Sequence, residues 1–131
     1  MSVSERAVVE WLARYVDVWK SGDDSRVAEL FSDDAVYYAD PFAIPLRGLA
    51  EIAEFWGISG DPPDAFEAHY DPLLITGDLA IATGFSRYFD ASRSQFEREY
   101  GNIFVLRFAP DGRCNEYREW YMLRDGETTT I

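Results

Sequence analysis

Three residues of this 131-residue chain have the types and settings from which acid–base chemistry is built: Asp40, Tyr15 and Glu119. Asp40 stands in Tyr37-Tyr38-Ala39-Asp40-Pro41-Phe42. A carboxylate among rings loses hydration when charged, which raises its proton affinity toward that of a useful general base. The alternative is that Asp-Pro ends a strand and the carboxylate binds local amides. Tyr15 shares a helical stripe with Trp11, Leu12 and Trp19. Its phenol is either a donor to a reacting oxygen or a core side chain whose hydroxyl bonds a neighbour. Glu119 lies in Tyr117-Arg118-Glu119-Trp120-Tyr121 and faces an interior in only one strand register. A slip of one residue sends it to the opposite face, as an exposed glutamate paired with an arginine.

Other chemistries find little support in the residue types. His69 is the only histidine and Cys114 the only cysteine, which excludes a multi-histidine metal site, a cysteine zinc cage and an intrachain disulfide. No group around His69 is spaced like a triad. Cys114 follows a Gly-Arg turn with Asp111 nearby, which disfavours a thiolate. Neither a nucleophile elbow nor a phosphate-binding glycine loop occurs. No metal and no cofactor are expected. Lys and Arg total 12 against 24 Asp and Glu, giving a formal charge of −12. That balance argues against nucleic acid and against an anionic membrane surface. No apolar run approaches the roughly 20 residues of a membrane helix. Met1 to Arg6 carries no apolar signal core, so a cytoplasmic location is expected.

The elements that must position these residues form one domain over 1–131. Val8, Trp11, Leu12, Tyr15, Val16 and Trp19 predict a helix from Ser4 that stops at Ser21-Gly22-Asp23. A shorter helix fits Ser25 to Phe31, broken by Ser32-Asp33-Asp34, and a third fits Leu49 to Trp56. Ala35 to Ala39 reads as a strand. Asp61-Pro62-Pro63-Asp64 reads as a loop. Phe66 to Ile75, Leu79 to Phe89, Glu97 to Phe108 and Arg113 to Leu123 read as long strands. Helices followed by an antiparallel meander make an α+β plan. Both faces of the meander carry bulky groups, so the helices cover one face and a partner subunit is expected on the other.

The order of elements resembles the nuclear transport factor 2-like, or SnoaL-like, superfamily. Residues 13–23, 31–36 and 39–42 are similar to the first half of bacterial ketosteroid isomerases, and Gly48 to Trp56 to the family's G-x-x-x-I-x-x-F helix. Phe104 to Phe108 and Asp111-Gly112-Arg113 resemble its closing hairpin. The resemblance implies a cystatin-like cone: three N-terminal helices on a strongly curved, mostly antiparallel sheet that encloses a pocket. It implies a small apolar ligand, a homodimer through the sheet face and cofactor-independent isomerase, cyclase, dehydratase or hydrolase chemistry, or a binding or scaffold domain without turnover.

Carried onto this chain, the resemblance makes Asp40 the base, Tyr15 the donor to an oxyanion and Glu119 a second acid or base. Phe104 stands where the isomerases keep a protonated aspartic acid, so their oxyanion pair is incomplete. Tyr117 to Tyr121 resembles the W-R-D-Y segment of limonene-epoxide hydrolases, but Gly84 and Ser86 replace their Arg-x-Asp. The expected pocket walls are Trp19, Tyr38, Phe42, Trp56, Ser86, Tyr88 and Phe104, with Asn102, Tyr117 and Tyr121 orienting the ligand.

Overall fold

The computed structural model describes residues 2–59, 65–124 and 129–130; the expected loop at Asp61–Asp64 lies outside them. Helix α1 runs Glu5–Ser21. Ser4 caps it by accepting the Ala7 N–H at 3.1 Å, and Gly22 ends it in the left-handed region at φ 68°, where a side chain would be strained. Its stripe buries Val8, Trp11, Leu12, Tyr15 and Val18. Trp11 is pinned by its indole N–H to the Leu30 carbonyl at 2.9 Å. The second helix is shorter and tighter than expected, a 3₁₀ segment over Asp24–Glu29. Asp23 opens it by accepting the Ser25 N–H.

Strand β1 spans Phe31–Tyr38 and so begins earlier than the sequence predicts. Its register against β6 (Cys114–Leu123) shifts between Phe31 and Val36. The break expected at Ser32-Asp33-Asp34 is therefore an irregularity within a strand, with Asp33 and Asp34 turned to solvent. The two-residue β2, Leu46–Arg47, precedes α2, Leu49–Ser59. Then come β3 (Phe66–Thr76), β4 (Leu79–Phe89) and β5 (Gln95–Phe108), with β7 (Thr129–Thr130) pairing β5 beyond β6.

The main sheet order is β2-β1-β6-β5-β4-β3, antiparallel except for the β1–β6 pair. Register shifts at Pro72/Leu74, Tyr88/Phe89 and Arg107/Phe108 add twist and bend, which wraps the long strands around the helices. The result is an unclosed, curved sheet with α1 and α2 in its hollow. Alternation settles the inner face. Ala80 and Ala82 of β4, Phe104, Leu106 and Phe108 of β5 and Tyr117 of β6 are buried against α1. Gly84 continues that row, and a Cβ there would collide with the His69 carbonyl and the Tyr70 ring. On the outer face Ile103, Trp120 and Met122 are exposed.

Candidate active site

The packed end of the hollow is filled by aromatic rings, and the other end is a cavity of about 260 Å³. Tyr15 reaches it from α1, Phe55 and Trp56 from α2, and Tyr37 from β1. Tyr70, Ser86, Asn102 and Glu119 reach it from successive sheet strands, and Tyr88, Tyr100 and Tyr121 line it as well. Tyr15 is the hub. Its ring stacks on Tyr117, meets Trp56 edge-on at 5.4 Å and rests against Phe104 at 5.5 Å.

One hydrogen-bond chain crosses the cavity wall. The Tyr15 and Tyr117 hydroxyls are 2.9 Å apart, and the Tyr117 hydroxyl donates to Glu119 Oε1 at 2.8 Å. Asn102 Nδ2 donates to Glu119 Oε2 at 3.0 Å, and Ser86 Oγ donates to Asn102 Oδ1 at 3.1 Å. The serine fixes which way the amide points and so aims its NH₂ at the carboxylate. Tyr70 brings its hydroxyl within hydrogen-bonding reach of Ser86 at the far end.

Electrostatics follow from burial. Desolvation pushes the Glu119 carboxyl up from 4.5 to about 7, against the opposing pull of the bonds from Tyr117 and Asn102. The same desolvation holds the Tyr15, Tyr37, Tyr70 and Tyr117 phenols above their usual range, and the nearby Glu119 charge adds to it. These phenols are therefore neutral donors at any ordinary pH. Trp56 supplies one more donor. Its Nε1 is buried, and although Tyr37 stands close, no acceptor among the described residues meets it with hydrogen-bond geometry.

Asp40 is elsewhere. Its Oδ1 accepts the Phe42 N–H at 2.7 Å and its carbonyl accepts the Ala43 N–H, the local turn that Asp-Pro favours. It does not line the cavity, but its charge reaches Tyr121 on the rim, where burial and then Asp40 raise the phenol. Phe42, expected as a wall, is 96% exposed at the tip of that turn. Tyr38, also expected there, lies on the opposite face of β1 from Tyr37, with the Arg118 guanidinium 4.0 Å over its ring. Phe104 lies beneath the cavity, fully buried against Tyr15, Tyr70 and Tyr117. The structure brings Tyr15, Trp19, Trp56, Ser86, Tyr88, Asn102, Glu119 and Tyr121 together around one space, with Tyr117 bonded behind it.

Sequence reasoning passed over Tyr37, Phe55, Tyr70 and Tyr100 as walls. Strand period could have found one of them, because Tyr100 shares a face with Asn102. His69 pairs with Asp71 on the exposed side of β3, and burial pushes the Cys114 thiol up, away from thiolate. Among the described residues no three His, Cys, Asp or Glu side chains gather as a metal site.

Residues 12–117 match the family model of the SnoaL-like domain. The chain belongs to the SnoaL-like family. No curated protein matches it in sequence. Among solved structures, this SnoaL-like domain is similar to the epoxide hydrolase/cyclase-like enzyme SalBIII, which has a role in pyran ring formation in the polyether salinomycin. The two share 17% identity over 93% of this chain and 94% of SalBIII, with a TM-score of 0.63. At that identity the likeness shows the fold alone, and with the family match it is consistent with a nuclear transport factor 2-like cone. No helix among the described residues of this SnoaL-like chain is long and apolar enough to cross a membrane.

Proposed function

We propose that the cavity binds a small, mostly apolar ligand and that Glu119 moves a proton on it in cofactor-independent acid–base chemistry: isomerisation, cyclisation, dehydration or hydration. One observation carries this reading. A carboxyl held near 7, with each oxygen bonded to an oriented donor, faces an aromatic cavity at neutral pH in both protonation states. While Glu119 is charged, Tyr117 donates to it and Tyr15 donates to Tyr117. When Glu119 takes a proton, that demand falls, and the Tyr15–Tyr117 pair is freed to donate to a ligand oxygen. The Trp56 N–H, buried beside Tyr37, adds a polar group to the same wall.

A binding module without turnover is the second reading. It is favoured by the single carboxyl among the described cavity walls, because a two-carboxylate mechanism needs another. The reading also includes a twofold dimer through the outer sheet face, supported by exposed Ile103, Trp120 and Met122 beside Phe85, Phe89 and Val105. Calorimetry and NMR in D₂O with a panel of cyclic enones, ketones and epoxides test both readings. We expect ligand-induced rises in melting temperature, with turnover or deuterium uptake that Glu119→Gln abolishes while binding remains. Binding without exchange in the parent leaves the binding module; no binding by any compound refutes the ligand reading.

A further inference from the structure

Beside the cavity, against two of its wall tyrosines, lies a guanidinium that no carboxylate among the described residues neutralises. Strand alternation puts Arg98 on the same face of β5 as Tyr100 and Asn102, roughly 7 Å further along than Tyr100. Its partner across the sheet is Tyr88. Arg98 Cζ lies 4.2 Å from the centre of the Tyr88 ring and 6.0 Å from that of Tyr100, and Nη1 donates to the Tyr100 hydroxyl at 3.3 Å. Both tyrosines line the cavity, so the cation packs on two of its wall residues and borders the site without lining it.

Its neighbours on the sheet behave differently. Arg87, Arg107 and Arg118 each hold a carboxylate within 3.4 Å. Among the described residues Arg98 has none. Tyr100 takes one of the five N–H donors of the guanidinium, and the fork that matches a carboxylate in bidentate fashion stays unpaired. In a chain of net charge −12 the long-range field repels anions, so an unpaired cation beside the cavity selects one anionic group locally.

Size narrows the rest. A cavity of 260 Å³ falls just below the roughly 300–1,000 Å³ of typical drug-sized ligand pockets. That suits one ring with a short side chain better than several fused rings.

We propose that the ligand is a small amphipathic monocarboxylate, its ring against Tyr15, Trp19 and Trp56 and its carboxylate on Arg98. This rests on the reading of the cavity as a ligand site. The anion on Arg98 fixes the orientation, which turns the apolar end toward Glu119 and the Tyr15–Tyr117 pair.

Isothermal titration calorimetry with trans-cinnamate and its neutral isostere trans-cinnamamide tests the proposal. The parent is expected to bind cinnamate at least about tenfold more tightly than the amide, with the preference shrinking at about 0.5 M salt. Arg98→Gln should reduce that preference to within about twofold, and Arg98→Lys, which keeps charge without the fork, should retain part of it. Arg107→Gln, on the outer face and paired with Asp78, should leave it intact. Equal binding of the two probes by the parent, or an undiminished preference in Arg98→Gln, overturns the proposal while the bound amide keeps the cavity reading alive. No heat from either probe overturns both.

Discussion

Replacing Glu119 by Gln removes the group whose ionisation the fold resists. The carboxyl is held at about 7 in the folded chain, chiefly by desolvation, against an ordinary 4.5. The folded state therefore binds more protons than the unfolded state between those values. The resulting stability is fully present below 4.5 and is lost as pH rises through 7. Over about pH 5 to about pH 8.5 the loss amounts to about 2–3 kcal/mol, an upper figure because the carboxyl borders a cavity that water can enter. At this chain length that corresponds to a fall in melting temperature on the order of 10 °C. Asp23, Glu29 and Asp111 are held below the usual range by bonds from Ser25, Arg26 and Arg113, so their titration falls at lower pH, outside the window. In Glu119→Gln the new amide can still accept from Tyr117, but its NH₂ opposes that of Asn102, which costs about 1 kcal/mol at every pH. The readout is therefore the slope. Urea titrations across the window should show the parent losing stability and Glu119→Gln losing about 2–3 kcal/mol less. Parallel pH dependences in the two proteins would refute the buried-carboxyl argument.

Four further outcomes can be checked. Tyr117→Phe deletes a donor that lowers Glu119, so the carboxyl midpoint should climb above that of the parent, read by ¹³C NMR of the side-chain carboxyl. Gly84→Ala forces a Cβ against the His69 carbonyl and the Tyr70 ring, and should cost about 1–3 kcal/mol by urea denaturation. Asp40→Ala removes the acceptor of the Phe42 N–H and should cost about 1 kcal/mol, while any Glu119-dependent exchange persists; loss of exchange with unchanged stability would return Asp40 to the chemistry. Light scattering should give twice the protomer mass for the parent and a monomer for Trp120→Glu, whose outer-face position would bring charge into the proposed dimer contact.

Much of this protein is legible along the chain because the signals are local. The α1 stripe, its Ser4 and Gly22 caps and the span Leu79–Phe89 need only side-chain period and backbone preference. Tyr15 could be singled out from the family resemblance. The parallel β1–β6 pair could not be read from local period, because it joins residues about eighty positions apart.

The carboxyl that faces the cavity was decided by tertiary structure. Asp40 has rings on both sides in sequence, yet its Asp-Pro turn gives it backbone amides and leaves Phe42 in solvent. Tyr37 and Tyr38 are equally aromatic, and only the pairing of β1 with β6 sends Tyr37 inward and Tyr38 under Arg118. Glu119 sits in a strand with aromatics on both faces, so alternation there is ambiguous. Pairing Phe104 with Glu119 and Asn102 with Tyr121 is what turns the carboxyl in, toward Tyr117 and Asn102. Residue types set which groups can exchange a proton. Register sets which of them loses its water, and desolvation is a property of the packed space around a group that its sequence neighbours do not fix.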